Sequence, residues 1–151
     1  MIRRTHLLVA CLAMMIAGHG IAAAAPTVIN LTQTGCQFVE PEGVDHQFKT
    51  GKSDDCKAIN KQNGDKRLKA SAPLELKPGK YIFRVTNQNV PYELGFYLRG
   101  SGLGRLTLPK VSGGGLTTGK TQDYHVDLKA GSYVYSCPLN PTPDYPIVVK
   151  P

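Results

Sequence analysis

The second half of the chain consists of short runs in which apolar residues recur at every second position, each run ending at a turn with Gly or Pro. In KYIFRVTN (80–87), for example, Tyr81, Phe83 and Val85 occupy alternate positions. A period of two is typical of a strand with one buried face. The even spacing of such runs favours an all-β sandwich or a small barrel. We predict strands over 28–32, 74–76, 80–87, 91–100, 121–128, 132–137 and 145–150.

A polar segment, 36–72, separates the first predicted strand from the others. We expect one short helix within this N-terminal insertion, with Ser53 as its N-cap and two Asp residues in its first turn. The helix is predicted to end near Gln62, because an Asn-Gly pair follows and is typical of a turn.

A Gly-rich connection, 100–119, lies between two of the predicted strands. It lacks the strand-to-helix context and the Lys-Ser/Thr pair of a phosphate-binding loop. We therefore expect a flexible connection. Its leucines, Leu103, Leu106 and Leu108, are a candidate surface for a partner if they are exposed.

The first 24 residues have the pattern of a cleaved secretory signal peptide, with Arg3 and Arg4 before an apolar run and small residues before the cut. The apolar run is too short to span a bilayer, so we expect no membrane span. These features predict a periplasmic protein. The remainder, 25–151, is long enough for one hydrophobic core, and we expect a single domain and a monomer.

Charge and motifs exclude two broad classes of function. Without the leader, sixteen Lys and Arg face eleven Asp and Glu. The basic residues between Lys57 and Lys69 have no aromatic neighbours, so we predict no nucleic-acid binding. The chain has neither a nucleophile-elbow pattern nor carboxylates at glycosidase spacing, so we predict that it is not an enzyme.

Three cysteines remain once the leader is removed: Cys36, Cys56 and Cys137. In an oxidising compartment we expect the first two to pair, because they are close in sequence, with a gain in stability of about 3 kcal/mol. Cys137 is then left over. It is a buried inert thiol, a reactive thiol or a metal ligand.

One stretch near the C-terminus, LKAGSYVYSCP (128–138), completes a recognisable order of segments. A strand ending in VTN and a strand beginning PYEL precede it, and IVV follows it. This order resembles the cupredoxin family. It is most similar to the divergent cupredoxin-like domains that include the one in EfeO-type iron-uptake proteins. The match covers 74–150, with 28–32 as a first strand, and leaves 36–72 uncovered.

The resemblance implies a Greek-key β-sandwich and a copper site made of a thiolate, two imidazoles and a weak thioether. Of these ligands the sequence keeps only the thiolate, Cys137. Tyr92 and Asn140 stand at the two His positions, and Tyr145 stands at the Met position.

Two alternatives follow for this site. In the first, Cys137 binds copper, or iron as the alternative, with Tyr92, Glu93, Asn140 and Tyr145 as the surrounding donors; Asp144 and a zinc ion also suit such a set. In the second, no cofactor is present, Cys137 is a buried small apolar residue, and the two tyrosines fill the space of the lost ligands. Alternation in the strand then points Tyr92 inward and Glu93 outward.

The acidic stretch EPEGVDH (40–46) is a weaker metal candidate, with Glu42 and His46 as its ligands. Its spacing matches neither an EF-hand nor a zinc motif, and an ordinary polar turn is the competing interpretation. His46 would reach the Cys137 loop only if the polar insertion folded over that loop. The other histidine of the mature chain, His125, is expected on the solvent face of its strand.

We therefore expect an exported, periplasmic cupredoxin-like protein that handles copper or iron at a Cys-centred site, together with an unknown envelope or metal-transport protein. The alternative is a metal-free sandwich that serves as an accessory or interaction module of the cell envelope.

Overall fold

A computed structural model describes residues 24–151, and the predicted leader lies outside this range apart from Ala24. No helix within 24–151 is both long enough and apolar enough to cross a membrane. The strands are β1 (Thr27–Thr34), β2 (Gln37–Phe38), β3 (Leu74–Leu76), β4 (Gly79–Asn87), β5 (Leu94–Gly100), β6 (Val111–Leu116), β7 (Thr121–Leu128), β8 (Gly131–Ser136) and β9 (Tyr145–Val149). The helices are α1 (Val39–Glu42) and α2 (Ser53–Ala70), and a 3₁₀ turn spans Gly102–Leu106.

The strands form two sheets. One has four strands in the order β2-β1-β4-β7, and the other has five in the order β3-β9-β8-β5-β6. Both sheets are mixed, because β1 pairs with β4 and β3 pairs with β9 in parallel, whereas the other neighbours are antiparallel. The prediction of an all-β sandwich is confirmed.

Aromatic side chains from both sheets meet in the core. Phe38 and Phe83 come from the four-stranded sheet, and Phe96, Tyr135 and Tyr145 come from the five-stranded sheet; each is at most 1% exposed. The Phe96 ring centroid lies 5.5 Å from that of Phe83, and the Phe38 centroid lies 5.2 Å from that of Tyr135. Such packing between rings stabilises a core beyond the area that it buries.

Most predicted strands occur where the alternation placed them. The prediction of a flexible connection over 100–119, however, was wrong. Its second half is β6, which pairs with β5 as the edge of the five-stranded sheet. The glycine run suits a strand here because a Cβ at Gly113 would lie 3.0 Å from Tyr124 Cε1. Sequence propensity did not show this, because glycine is unfavourable in most strands. The strand predicted from residue 91 begins later, at Leu94.

The prediction of one short helix in the insertion was also wrong, both in the number of helices and in the length of the main one. Besides the one-turn α1, the insertion contains α2, which has 18 residues, begins after Lys52 rather than Ser53 as its N-cap, and runs past Gln62 to Ala70. Gly64 does not end the helix. It lies against Asn60, where a Cβ would be 3.2 Å from Asn60 Cβ. The cost of a helical glycine, about 1 kcal/mol, is offset by the contacts that the longer helix gives to Arg67.

The long helix is attached to the sandwich mainly by polar groups and a disulfide. Its buried residues are Cys56, Gly64 and Arg67, none of which is a large aliphatic or aromatic residue. Leu68 adds a partly buried contact with the core. The predicted bridge between Cys36 and Cys56 is confirmed, and it joins the β1–β2 turn to α2.

Replacing both Cys36 and Cys56 by Ser should lower the free energy of unfolding by about 3 kcal/mol, because the bridge closes a loop between residues 20 apart. Urea unfolding without reductant measures the change. Dithiothreitol should destabilise the wild type and leave the double variant unaffected. The matched control is Cys137→Ser, at a buried cysteine that forms no bridge within 24–151. An equal loss in this control would show that the bridge is not the main tie to α2.

Candidate functional site

Cys137 directly follows β8 and is buried, with 1% of its surface exposed. Its Sγ accepts hydrogen bonds from two backbone N–H groups, those of Gly95 at 3.3 Å and Asn140 at 3.2 Å. Burial raises the pKa of this thiol above its ordinary value, and the backbone hydrogen bonds oppose that rise without cancelling it. Cys137 is therefore a neutral thiol at pH 7.

Asn140 is fully buried and its amide group is engaged on both sides. Its Oδ1 accepts hydrogen bonds from the Cys36 N–H at 3.0 Å and the Tyr92 hydroxyl at 3.1 Å, and also lies 3.0 Å from Cys56 Sγ. Its Nδ2 donates to the Thr34 carbonyl at 2.9 Å. The side chain at the second His position thus ties the β8–β9 loop to the β1–β2 turn.

Tyr145, at the Met position, is fully buried and its hydroxyl donates a hydrogen bond to Glu42 Oε1. The same carboxylate lies 2.7 Å from His46 Nε2, through its Oε2. The polar insertion therefore does fold over the β8–β9 loop, which was the condition for His46 to approach it. In this arrangement His46 pairs with Glu42, which is itself part of the insertion.

Arg67 uses all five of its N–H donors. Nε and Nη2 bind the two oxygens of Glu42 at 2.9 and 2.7 Å, and Nη2 also donates to the Cys36 carbonyl at 2.9 Å. Nη1 donates to the side-chain oxygens of Asn60 and Asn63 at 2.8 and 3.1 Å. Only 6% of the Arg67 side chain and 2% of the Glu42 side chain are exposed. This paired geometry satisfies both charges inside the protein.

The titration of Glu42 follows from these contacts. Burial acts to raise the pKa of its carboxyl, but hydrogen bonds from Arg67 and Tyr145, with the positive charge of Arg67, outweigh burial and hold the pKa below its ordinary value. Burial and the neighbouring carboxylate raise the pKa of the Tyr145 hydroxyl. Glu42 is thus a carboxylate and Tyr145 a neutral phenol at pH 7.

Cys36 joins the two hydrogen-bond groups. Its N–H donates to Asn140, its carbonyl accepts from Arg67, and its sulfur is bonded to Cys56. Its backbone has a φ of 62°, in the left-handed region that a residue with a side chain seldom adopts. Three attachments around one residue hold that conformation in place.

We call Cys137, Asn140, Tyr92 and Tyr145 the Cys137 corner. Glu93, also a predicted ligand, is exposed, and its Oε1 accepts the Gly115 N–H at 2.8 Å. Asp144 is exposed and pairs with Arg99 at 2.8 Å, and His125 is exposed on β7. Tyr92 is half-buried and Glu93 is exposed, but both precede β5, so strand alternation does not explain the difference.

The donors of the corner do not match the copper set that the family resemblance implies. Its one thiol is protonated, the Asn140 amide is used on both sides, and each phenol donates its proton to a neighbouring side chain. Within the described part of the chain, no three His, Cys, Asp or Glu side chains are grouped closely enough to hold an ion. A metal at this position would have to replace hydrogen bonds that the protein already makes.

Sequence reasoning missed Arg67 and Asn60, which hold the insertion in place. The available signal was helical spacing, since Cys56, Asn60, Gly64 and Arg67 lie on one face of a helix that continues past the Asn-Gly pair. No protein-family model matches the chain, and no curated protein matches it.

Changing Glu42 to Gln should remove much of the acid sensitivity of the fold. The pKa of Glu42 is lowered from 4.5, so the stability that its charge contributes is complete above that pH and is lost as the pH falls through the lower value. At pH 7 the variant should lose about 3 kcal/mol, because Arg67 stays buried without a counter-charge. Thermal unfolding between pH 7 and pH 3 measures both effects.

The matched control is Asp54→Asn, which breaks the exposed pair with Lys57, where both side chains are more than 60% exposed. An exposed pair contributes little, so this variant should retain nearly wild-type stability at pH 7. An acid response in Glu42→Gln as steep as that of the wild type would contradict the role given to Glu42.

Proposed function

We propose that the protein is a periplasmic, cupredoxin-like sandwich that holds no resident metal at the Cys137 corner and acts as a binding module of the cell envelope. The observation that carries this proposal is the hydrogen bonding at three of the four positions where the family resemblance expects ligands. Asn140 is engaged through both amide atoms, and the hydroxyls of Tyr92 and Tyr145 each donate to a side chain. The corner serves to fix the insertion on the sandwich.

The path of the chain supports the cupredoxin-like part of the proposal. From β4 in the four-stranded sheet the chain crosses to β5 and β6, returns to β7, and crosses again to β8 and β9. Repeated crossing between two facing sheets is a feature of Greek-key sandwiches.

The second candidate function is the handling of copper or iron through Cys137. It is favoured by the two backbone N–H groups directed at Cys137 Sγ, since such donors stabilise a thiolate. In this alternative, a bound cation would supply the charge that keeps the sulfur deprotonated.

Native mass spectrometry separates the two candidates. The exported protein, challenged in turn with Cu(I), Cu(II) and Fe(III) at neutral pH, should keep the mass of the metal-free chain with one disulfide, because binding would break internal hydrogen bonds. The matched variants are Cys137→Ser and His125→Ala, the latter to reveal weak binding at an exposed imidazole.

A single retained metal that disappears in Cys137→Ser, and persists in His125→Ala, would contradict the metal-free corner and favour the second candidate. An adduct lost only in His125→Ala would be a surface effect, and the metal-free corner would stand.

A further inference from the structure

The strand registers place several turns at one end of the sandwich, away from the Cys137 corner. Gly79, at the start of β4, pairs with Leu128, and Gly131, at the start of β8, pairs with Val149. The 3₁₀ turn lies at the same end, because the Ser101 N–H donates to the Ser132 carbonyl at 2.9 Å. Cys137 follows the opposite end of β8.

Two leucines of the 3₁₀ turn point away from the protein. Leu103 is 88% exposed and Leu106 is 87% exposed, the highest values among the exposed large apolar residues of the described chain. The sequence-based expectation of exposure is therefore confirmed for both and wrong for Leu108. Leu108 is half-buried beneath the turn, so close to Gly104 and Gly131 that a Cβ at either would lie within 2.8 Å of its Cδ1. The half-buried Leu108 packs beneath the turn, and the turn holds the other two leucines outward.

Basic side chains lie at the same end of the sandwich as these leucines. The basic residues at this end, all exposed, are Lys77, Lys80, Arg105, Lys129 and Lys150. None of them forms an ion pair with another residue of 24–151. The acidic side chains at this end are Glu75 and Asp127, of which Asp127 lies opposite Lys80 in the β4–β7 pair. Positive charge exceeds negative charge here. We call these five basic residues with Leu103 and Leu106 the basic end.

We propose that the basic end docks on an anionic phospholipid surface, with Leu103 and Leu106 inserted at the level of the headgroups. Apolar side chains gain free energy by leaving water at the interface, and each nearby Lys or Arg adds attraction to anionic headgroups. Lysines around an inserted turn also reach the phosphates while their aliphatic stems cover apolar surface.

The shape of the basic end favours a membrane over a protein partner. A stable protein interface buries about 800 Å² on each partner, with a hydrophobic centre and a polar rim. Here the apolar part is two leucines on a protruding five-residue turn, with an excess of positive charge at the same end of the sandwich. A protruding apolar turn within positive charge is complementary to a fluid, negatively charged surface.

This inference gives the proposed binding role a partner and rests on that role, but it does not depend on the metal content of the Cys137 corner. Vesicle co-sedimentation tests it, with the exported protein in EDTA and its N-terminus established by intact mass. The vesicles are equimolar phosphatidylglycerol and phosphatidylcholine, compared with phosphatidylcholine alone. Binding should require phosphatidylglycerol and weaken as NaCl is added, because salt screens the attraction.

Two variants test the two parts of the basic end. The double change Leu103→Ser with Leu106→Ser should lower the partition coefficient by about tenfold, and because both side chains are exposed the fold should persist. The triple change Lys77→Glu, Arg105→Glu and Lys129→Glu should lower it by at least about fivefold for each residue changed.

The matched controls lie elsewhere on the surface. Leu139→Ser with Val44→Ser removes two exposed apolar side chains outside the basic end, and Lys57→Glu, Lys61→Glu and Lys66→Glu reverse three exposed charges on α2. Both controls should bind vesicles like the wild type. Equal losses in the controls and the test variants would overturn the proposal, since binding would then follow general charge or apolarity.

Absence of wild-type binding to either kind of vesicle would also overturn it, and would leave a protein as the partner of the turn. The result for vesicle binding can be distinguished from the result for metal binding at the Cys137 corner. A metal adduct lost in Cys137→Ser contradicts the metal-free site without changing vesicle binding, whereas loss of vesicle binding leaves the mass spectra unchanged.

Discussion

The buried pair of Arg67 and Glu42 holds together three parts of the chain that are distant in sequence. Through Arg67 it reaches the Cys36 carbonyl in the β1–β2 turn, and through Glu42 it reaches Tyr145 on the last strand. Two buried charges are costly unless both are fully hydrogen-bonded, which is the case here. The position of α2 therefore depends on the hydrogen-bond geometry of this pair as much as on hydrophobic burial. Asn140 repeats the arrangement on a smaller scale, since one amide connects a loop and a turn more than a hundred residues apart.

Those parts of the fold that depend on local sequence could be predicted. Alternation located most strands, because a period of two is imposed by backbone geometry alone. The pairing of Cys36 with Cys56 followed from their separation and from the expected compartment. The exposure of His125 followed from its apolar neighbours. Each of these inferences uses information within a few residues or a single chemical constraint.

The remaining features depend on contacts between distant segments, and predictions from local sequence were wrong for them. Gly64 lies within a helix because Arg67, one turn later, has buried partners elsewhere in the chain. The glycines of β6 suit an edge strand because the Tyr124 ring lies close against Gly113. At the candidate site, Glu42 was expected to be a weak metal ligand, whereas its oxygens are shared among Arg67, His46 and Tyr145. A carboxylate that binds an ion and one that pairs with a buried guanidinium look alike in sequence.

The parallel pairing of β3 with β9 has a consequence for the biogenesis of the protein. Leu74 pairs with Ile147, so a strand from the middle of the chain has no neighbour in its sheet until the last residues are available. The same final strand lies between β3 and β8, which makes it an interior member of the five-stranded sheet. Long-range pairings of this kind slow folding, since a large loop must close before the contacts can form. A ribosome-bound chain that lacks β9 would thus leave β3 unpaired and β8 at the edge of its sheet, with backbone hydrogen-bonding groups of both strands open to other chains until β9 has been synthesised.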